Sequence, residues 1–121
     1  MKEILTAMLT LEQFKAARGV LQGVLHPTSL IHSPALSKNC GNNVYLKPEN
    51  MQVTGAYKIR GAYYKISTLS EEEKARGLVT ASAGNHAQGV AYAAQKMGVP
   101  ATIVMPTTTP LVKVNNTKDY G

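Results

Sequence analysis

Residues 78–105 constrain the fold more than any other part of the chain. Leu78-Val79-Thr80-Ala81 is a short apolar run with strand character, expected to be buried. Ser82-Ala83-Gly84-Asn85 has the composition of a turn. Residues 86–97 then place Val90, Ala91, Ala94 and Met97 at helical spacing and close on Gly98. Ala101-Thr102-Ile103-Val104-Met105 is a second strand. A strand, a helix and a strand within about thirty residues make a βαβ unit, whose strands lie parallel in one sheet. Such sheets bind ligands beyond the carboxyl ends of their strands, and the turn at residues 82–85 occupies that place.

The flanking segments extend the α/β pattern. Thr10 with Gln13 forms a capping box, and Leu11, Phe14, Ala17, Leu21, Val24 and Leu25 follow at helical spacing. That helix should stop before His26-Pro27, because a residue preceding proline avoids helical geometry. A loop is expected over residues 28–37, a turn at Gly41-Asn42-Asn43, and a short strand at Val44-Tyr45-Leu46. Residues 57–69 read as a helix with Ile59, Ala62, Tyr63 and Ile66 on its apolar stripe. Ser70 with Glu73 is a second capping box, opening an acidic turn that ends near Gly77. Pro110 begins a last helix, for which Gly121 has the character of a C-cap. This pattern reads as a βαβ array cut at a helix end.

Composition removes several function classes. A chain of 121 residues holds one domain at most, and 44% hydrophobic with 17% charged residues suits a folded domain. No apolar run nears the ~20 residues of a membrane span, and residues 1–11 have no signal-peptide core. The net charge is +6, but the basic residues stand singly from Lys2 to Lys118, with one Phe and no Trp, so nucleic-acid binding is not indicated. One cysteine, Cys40, excludes an internal disulfide and fits a reducing cytoplasm. It stands in a polar Lys-Asn-Cys-Gly-Asn-Asn turn with nothing to activate it, so a structural thiol is expected.

Two segments carry chemistry. Thr54-Gly55-Ala56-Tyr57-Lys58-Ile59-Arg60-Gly61-Ala62 presents one lysine beside small residues. Ser82-Ala83-Gly84-Asn85-His86-Ala87-Gln88-Gly89 is a small-residue loop opening a helix, whose free N–H groups suit an anion. An amine and an anion-binding loop are the parts needed to hold a carbonyl cofactor beside an amino-acid carboxylate.

With the preceding Lys47-Pro48-Glu49-Asn50-Met51-Gln52-Val53, these motifs resemble the threonine dehydratase (threonine ammonia-lyase) branch of the fold-type II pyridoxal-phosphate enzymes. The resemblance runs from about residue 25 to residue 121. His86 and Arg60-Gly61 favour the hydroxy-amino-acid branch over the cysteine-forming one. The implied architecture is the tryptophan-synthase-β-like α/β fold. Residues 1–50 would belong to its larger domain and residues 51–121 to part of its smaller one.

The resemblance also implies roles. Lys58 matches the catalytic lysine that forms a Schiff base with pyridoxal 5'-phosphate; a reversible imine requires an amine. Tyr57 matches the aromatic against the cofactor ring, where many relatives carry Phe. Ser82, Ala83, Gly84, Asn85 and His86 match the loop that grips the substrate carboxylate, and Asn85 the amide bonded to the cofactor ring oxygen. His86 is expected to support the helix start rather than move protons. Some racemases carry a basic Ser where Ala83 stands, so elimination is favoured over racemisation.

The implied reaction eliminates water and ammonia from threonine or serine, in isoleucine biosynthesis or threonine catabolism. A small amino-acid substrate, a cytoplasmic setting and a homo-oligomer belong to the same expectation; a metal does not. The family's glycine-rich phosphate cradle and its contact to the pyridine nitrogen lie beyond the point matched by Gly121. A non-catalytic fragment and, less favoured, a serine racemase are the alternative readings.

Overall fold

The computed structural model describes residues 8–121. The reading of residues 1–7 as free of a leader lies outside the described residues. In chain order the elements are helix α1 (Leu11–Leu21), strand β1 (Ile31–His32), helix α2 (Pro34–Cys40) and strand β2 (Tyr45–Leu46). A 3₁₀ turn (Glu49–Met51), helix α3 (Lys58–Ser67) and helix α4 (Glu71–Ala75) follow. The chain continues as strand β3 (Leu78–Ala81), helix α5 (Asn85–Met97), strand β4 (Ala101–Val104) and helix α6 (Leu111–Lys118).

β3 and β4 pair in parallel, Leu78 opposite Ala101 and Ala81 opposite Val104, with α5 as the crossover. The expected βαβ unit is therefore present, and the fold is α/β. A separate antiparallel pair joins β1 to β2, Ile31 opposite Leu46.

The core lies where α3 crosses α5. Ile59, Ala62 and Ile66 descend one face of α3 and meet Val90 and Ala93 of α5, all at most 7% exposed. Leu25, Val53, Leu78 and Ile103 close the margins. Small residues on α5 (Ala87, Gly89, Ala91, Ala93, Ala94) let the two helices approach closely. Gly89 is the tightest point. A Cβ there would stand 3.2 Å from the Ile59 nitrogen and 3.3 Å from the Lys58 carbonyl carbon.

Gln52, 4% exposed, ties the entry to α3 back toward α1. Its side-chain oxygen accepts from the His26 amide at 2.9 Å, and its side-chain nitrogen donates to the His26 carbonyl at 3.1 Å. One amide thus mimics a rung of a β-ladder.

Both capping boxes form as expected, Thr10 with Gln13 and Ser70 with Glu73. α1, however, ends at Leu21, because Gly23 takes φ +79 and breaks the helical path before Val24 and Leu25. The expected loop over residues 28–37 contains β1 and the start of α2. Ser33 caps α2 from outside and Pro34 supplies its first turn, where a missing N–H costs nothing. Cys40 lies in the last turn of α2 rather than in a loop; its thiol donates to the Leu36 carbonyl, and Gly41 at φ +66 ends the helix. α6 is C-capped by Asp119, not Gly121.

β3 also departs from the reading as a buried strand. It alternates, with Val79 78% exposed, and Val104 on β4 is 53% exposed. Helices cover one face of the parallel pair; the other meets water.

Candidate functional site

α3, α5 and α6 present their N-terminal ends without side-chain caps, whereas α1, α2 and α4 are each capped by Thr or Ser. Among the described residues, the amides of Asn85, His86 and Ala87 meet no acceptor. Those N–H groups, at the positive end of a thirteen-residue helix, are competent to bind an anion.

The loop before α5 is held by the sheet. The Ser82 amide donates to the Val104 carbonyl at 3.0 Å, extending the β3–β4 ladder by one residue. The Ser82 hydroxyl accepts from the Gly84 amide at 3.4 Å. Ser82, Ala83 and Gly84 are half-buried, and Asn85 and His86 are exposed. His86 is exposed at the second position of α5. α5 begins at Asn85, one residue earlier than its periodicity indicated.

Lys58 is the first residue of α3, whose start also falls one residue from expectation, with Tyr57 as N-cap. The segment leading to it turns at Gly55, which takes φ +70 and donates to the Gln52 carbonyl at 2.7 Å. Thr54 and Ala56 point inward, and the Thr54 hydroxyl is buried with no partner. Tyr57 is 59% exposed, so it is not a core aromatic, and the Lys58 amine lies 5.3 Å from its ring centroid. The Lys58 amine makes no ion pair among the described residues.

Sequence reasoning missed a polar cluster behind Lys58. Arg60 donates through Nε to Glu49 Oε2 at 2.8 Å and through Nη2 to Oε1 at 2.7 Å. Thr28 donates its hydroxyl to the same carboxylate and receives Arg60 Nη2 at 3.3 Å. Lys47 bonds the Thr28 carbonyl at 2.5 Å. The Arg60 fork, aided by Thr28, holds the Glu49 carboxyl at about 2, against partial burial. The available signal was a lone acid, Glu49, followed eleven positions on by Arg60 within the lysine motif.

A parallel βαβ unit, a lysine opening α3 and unfilled amides opening α5 define the class. The family model described as pyridoxal-phosphate dependent enzyme matches residues 21–121, and the chain belongs to that family. Among its relatives, the L-threonine ammonia-lyase of Thermotoga maritima is 58% identical over 94% of this chain and 28% of its own length. A catabolic L-threonine dehydratase of Staphylococcus aureus is 51% identical over 94% of this chain and 33% of its own length. Among solved structures, serine racemase from Dictyostelium discoideum matches with TM-score 0.88 at 37% identity, covering 93% of this chain and 37% of that one. Threonine deaminase isoform 2 from Solanum lycopersicum matches with TM-score 0.78 at 42% identity, covering 94% and 32%. The chain therefore spans about a third of the length of these relatives.

The donor set fits one end of the family's cofactor. An unpaired primary amine suits its aldehyde, the exposed Asn85 amide its ring oxygen, and the open α5 amides a carboxylate beside it. The ten glycines form no run that would cradle a phosphate. No helix among the described residues is long and apolar enough to cross a membrane.

Proposed function

We propose that this chain carries the imine lysine and the carboxylate loop of a pyridoxal-phosphate-dependent lyase that converts threonine or serine into a 2-oxo acid and ammonia. The observation that carries this reading is the contact at Gly89, which seats the helix start bearing Lys58 against the helix whose first amides are open. The names of the L-threonine ammonia-lyase and L-threonine dehydratase relatives support the substrate class.

When bound, the cofactor supplies an electron sink for the substrate Cα. Lys58 would hold the cofactor's aldehyde through its amine, and the same amine, when free, would accept the Cα proton. The amides of Asn85, His86 and Ala87 hold the substrate carboxylate, and Ser82, Ala83 and Gly84 shape the approach to it. The Asn85 side chain would donate to the ring oxygen, and Tyr57 would pack against the ring. In the same reading, residues 1–50 belong to a larger domain and residues 51–121 to a smaller one, supported by the separation of the β1–β2 and β3–β4 sheets.

The test is a titration of the chain with pyridoxal phosphate, followed by visible absorbance. The wild type should develop a band that Lys58→Ala lacks. Persistence of the band in Lys58→Ala removes Lys58 from the role. A wild-type chain near 13.0 kDa that stays colourless favours the non-catalytic reading.

A serine racemase is the second reading, favoured by the match to the Dictyostelium discoideum structure. Against it stands Ala83, whose methyl group cannot carry a proton to the opposite face. Chiral analysis of serine after incubation separates the two: D-serine without pyruvate would replace the lyase assignment.

A further inference from the structure

We infer that Glu49 and Arg60 form a positioning clamp that sets the rotation of the first turn of α3, and with it the direction of Lys58. The inference rests on the reading of Lys58 as the imine lysine and names the groups that aim it.

Lys58, Ile59 and Arg60 are consecutive on α3, so their side chains leave the axis about 100° apart. Ile59 is fully buried against α5, and Gly89 packs so near that an added Cβ would stand 3.2 Å from the Ile59 nitrogen. Arg60, one step further round, is held by both oxygens of Glu49. Two fixed directions on one turn leave that turn no freedom to roll. Lys58 has no such anchor among the described residues: its amine forms no ion pair there and stands 5.3 Å from the Tyr57 ring centroid. Its direction is therefore set by its two neighbours.

The construction of the pair exceeds what stability alone would require. A partly exposed ion pair contributes about 0–1 kcal/mol. Here the carboxylate, 16% exposed, takes a planar two-point fork and a Thr28 hydroxyl, and Lys47 stands 3.8 Å away. Thr28 comes from the segment after α1 that Gln52 also fastens. The clamp thus closes the stretch from Glu49 to Arg60, including the Gly55 turn that delivers Lys58. A fork of this kind fixes angle as well as distance, which an ammonium group does not.

The test reads amine placement without requiring turnover. The chain is incubated with pyridoxal phosphate and sodium borohydride, and each lysine is scored by peptide mass spectrometry. The lysine nitrogen adds to the aldehyde carbon, water leaves, and hydride from borohydride reduces the C=N bond to a stable amine. Lys65, exposed on the same helix, is the internal reference. Wild type should favour Lys58. Arg60→Lys should lower the Lys58 to Lys65 ratio roughly tenfold, and the milder Thr28→Val about threefold. Exchanging the charges with Glu49→Arg and Arg60→Glu together should restore much of it.

An unchanged ratio in variants that retain helical circular dichroism overturns the clamp. So does a fall that follows loss of helical signal and is not recovered by the exchange, since the pair would then serve only stability. If the wild type shows no preference for Lys58, the imine-lysine reading itself fails and the clamp falls with it.

Discussion

Gly89 lies against the peptide that leaves Lys58, close enough that an added Cβ would stand 3.3 Å from the Lys58 carbonyl carbon and 3.2 Å from the Ile59 nitrogen. These are backbone atoms, so relief requires moving a helix rather than a side chain. In an open helix, Gly→Ala would add about 1 kcal/mol of stability through propensity. Here overpacking, at about 1–3 kcal/mol, should win. Gly89→Ala is expected to lower the urea midpoint and to reduce trapping at Lys58. A more stable variant would show that the two helices are free to separate.

Acid should act through Glu49. Its carboxyl is held at about 2, first by the Arg60 fork, against an ordinary value of 4.5. The folded value is the lower one, so between about 2 and 4.5 the unfolded chain binds more protons. The contribution is complete above the unfolded value and disappears as pH falls through the folded one. Denaturant melts at about pH 6 and about pH 3 should show a larger acid loss in wild type than in Glu49→Gln. Equal losses would place the acid sensitivity elsewhere.

Ile59 is the largest fully buried side chain among the described residues. Ile59→Val should cost about 0.5–1.5 kcal/mol and Ile59→Ala about 2–5 kcal/mol, because the rigid α3–α5 contact cannot collapse onto the cavity. Against a small core, the larger loss should abolish the cooperative melt. Similar melting of both variants would mean the site relaxes.

How much was legible in the sequence depended on range. The βαβ unit and both capping boxes follow from contacts a few residues apart, so spacing alone revealed them. Lys58 and the loop at residues 82–85 stood out because each is an unusual local string. The Glu49–Arg60–Thr28 cluster joins three segments, and no local pattern links Thr28 to residues more than twenty positions away. α1 was read too long because periodicity counts Val24 and Leu25 but takes no account of the positive φ that Gly23 adopts. β3 was read as buried because apolar content says what a residue favours, not whether anything arrives to cover it.

The bare face of the β3–β4 pair also bears on thermodynamics. Val79 and Val104 are already hydrated in the folded chain, so unfolding adds little new apolar surface at either position. Heat-capacity change and denaturant slope both scale with newly exposed surface. For this chain both should fall below the values usual for 121 residues, giving a stability curve that is shallow in temperature as well as low.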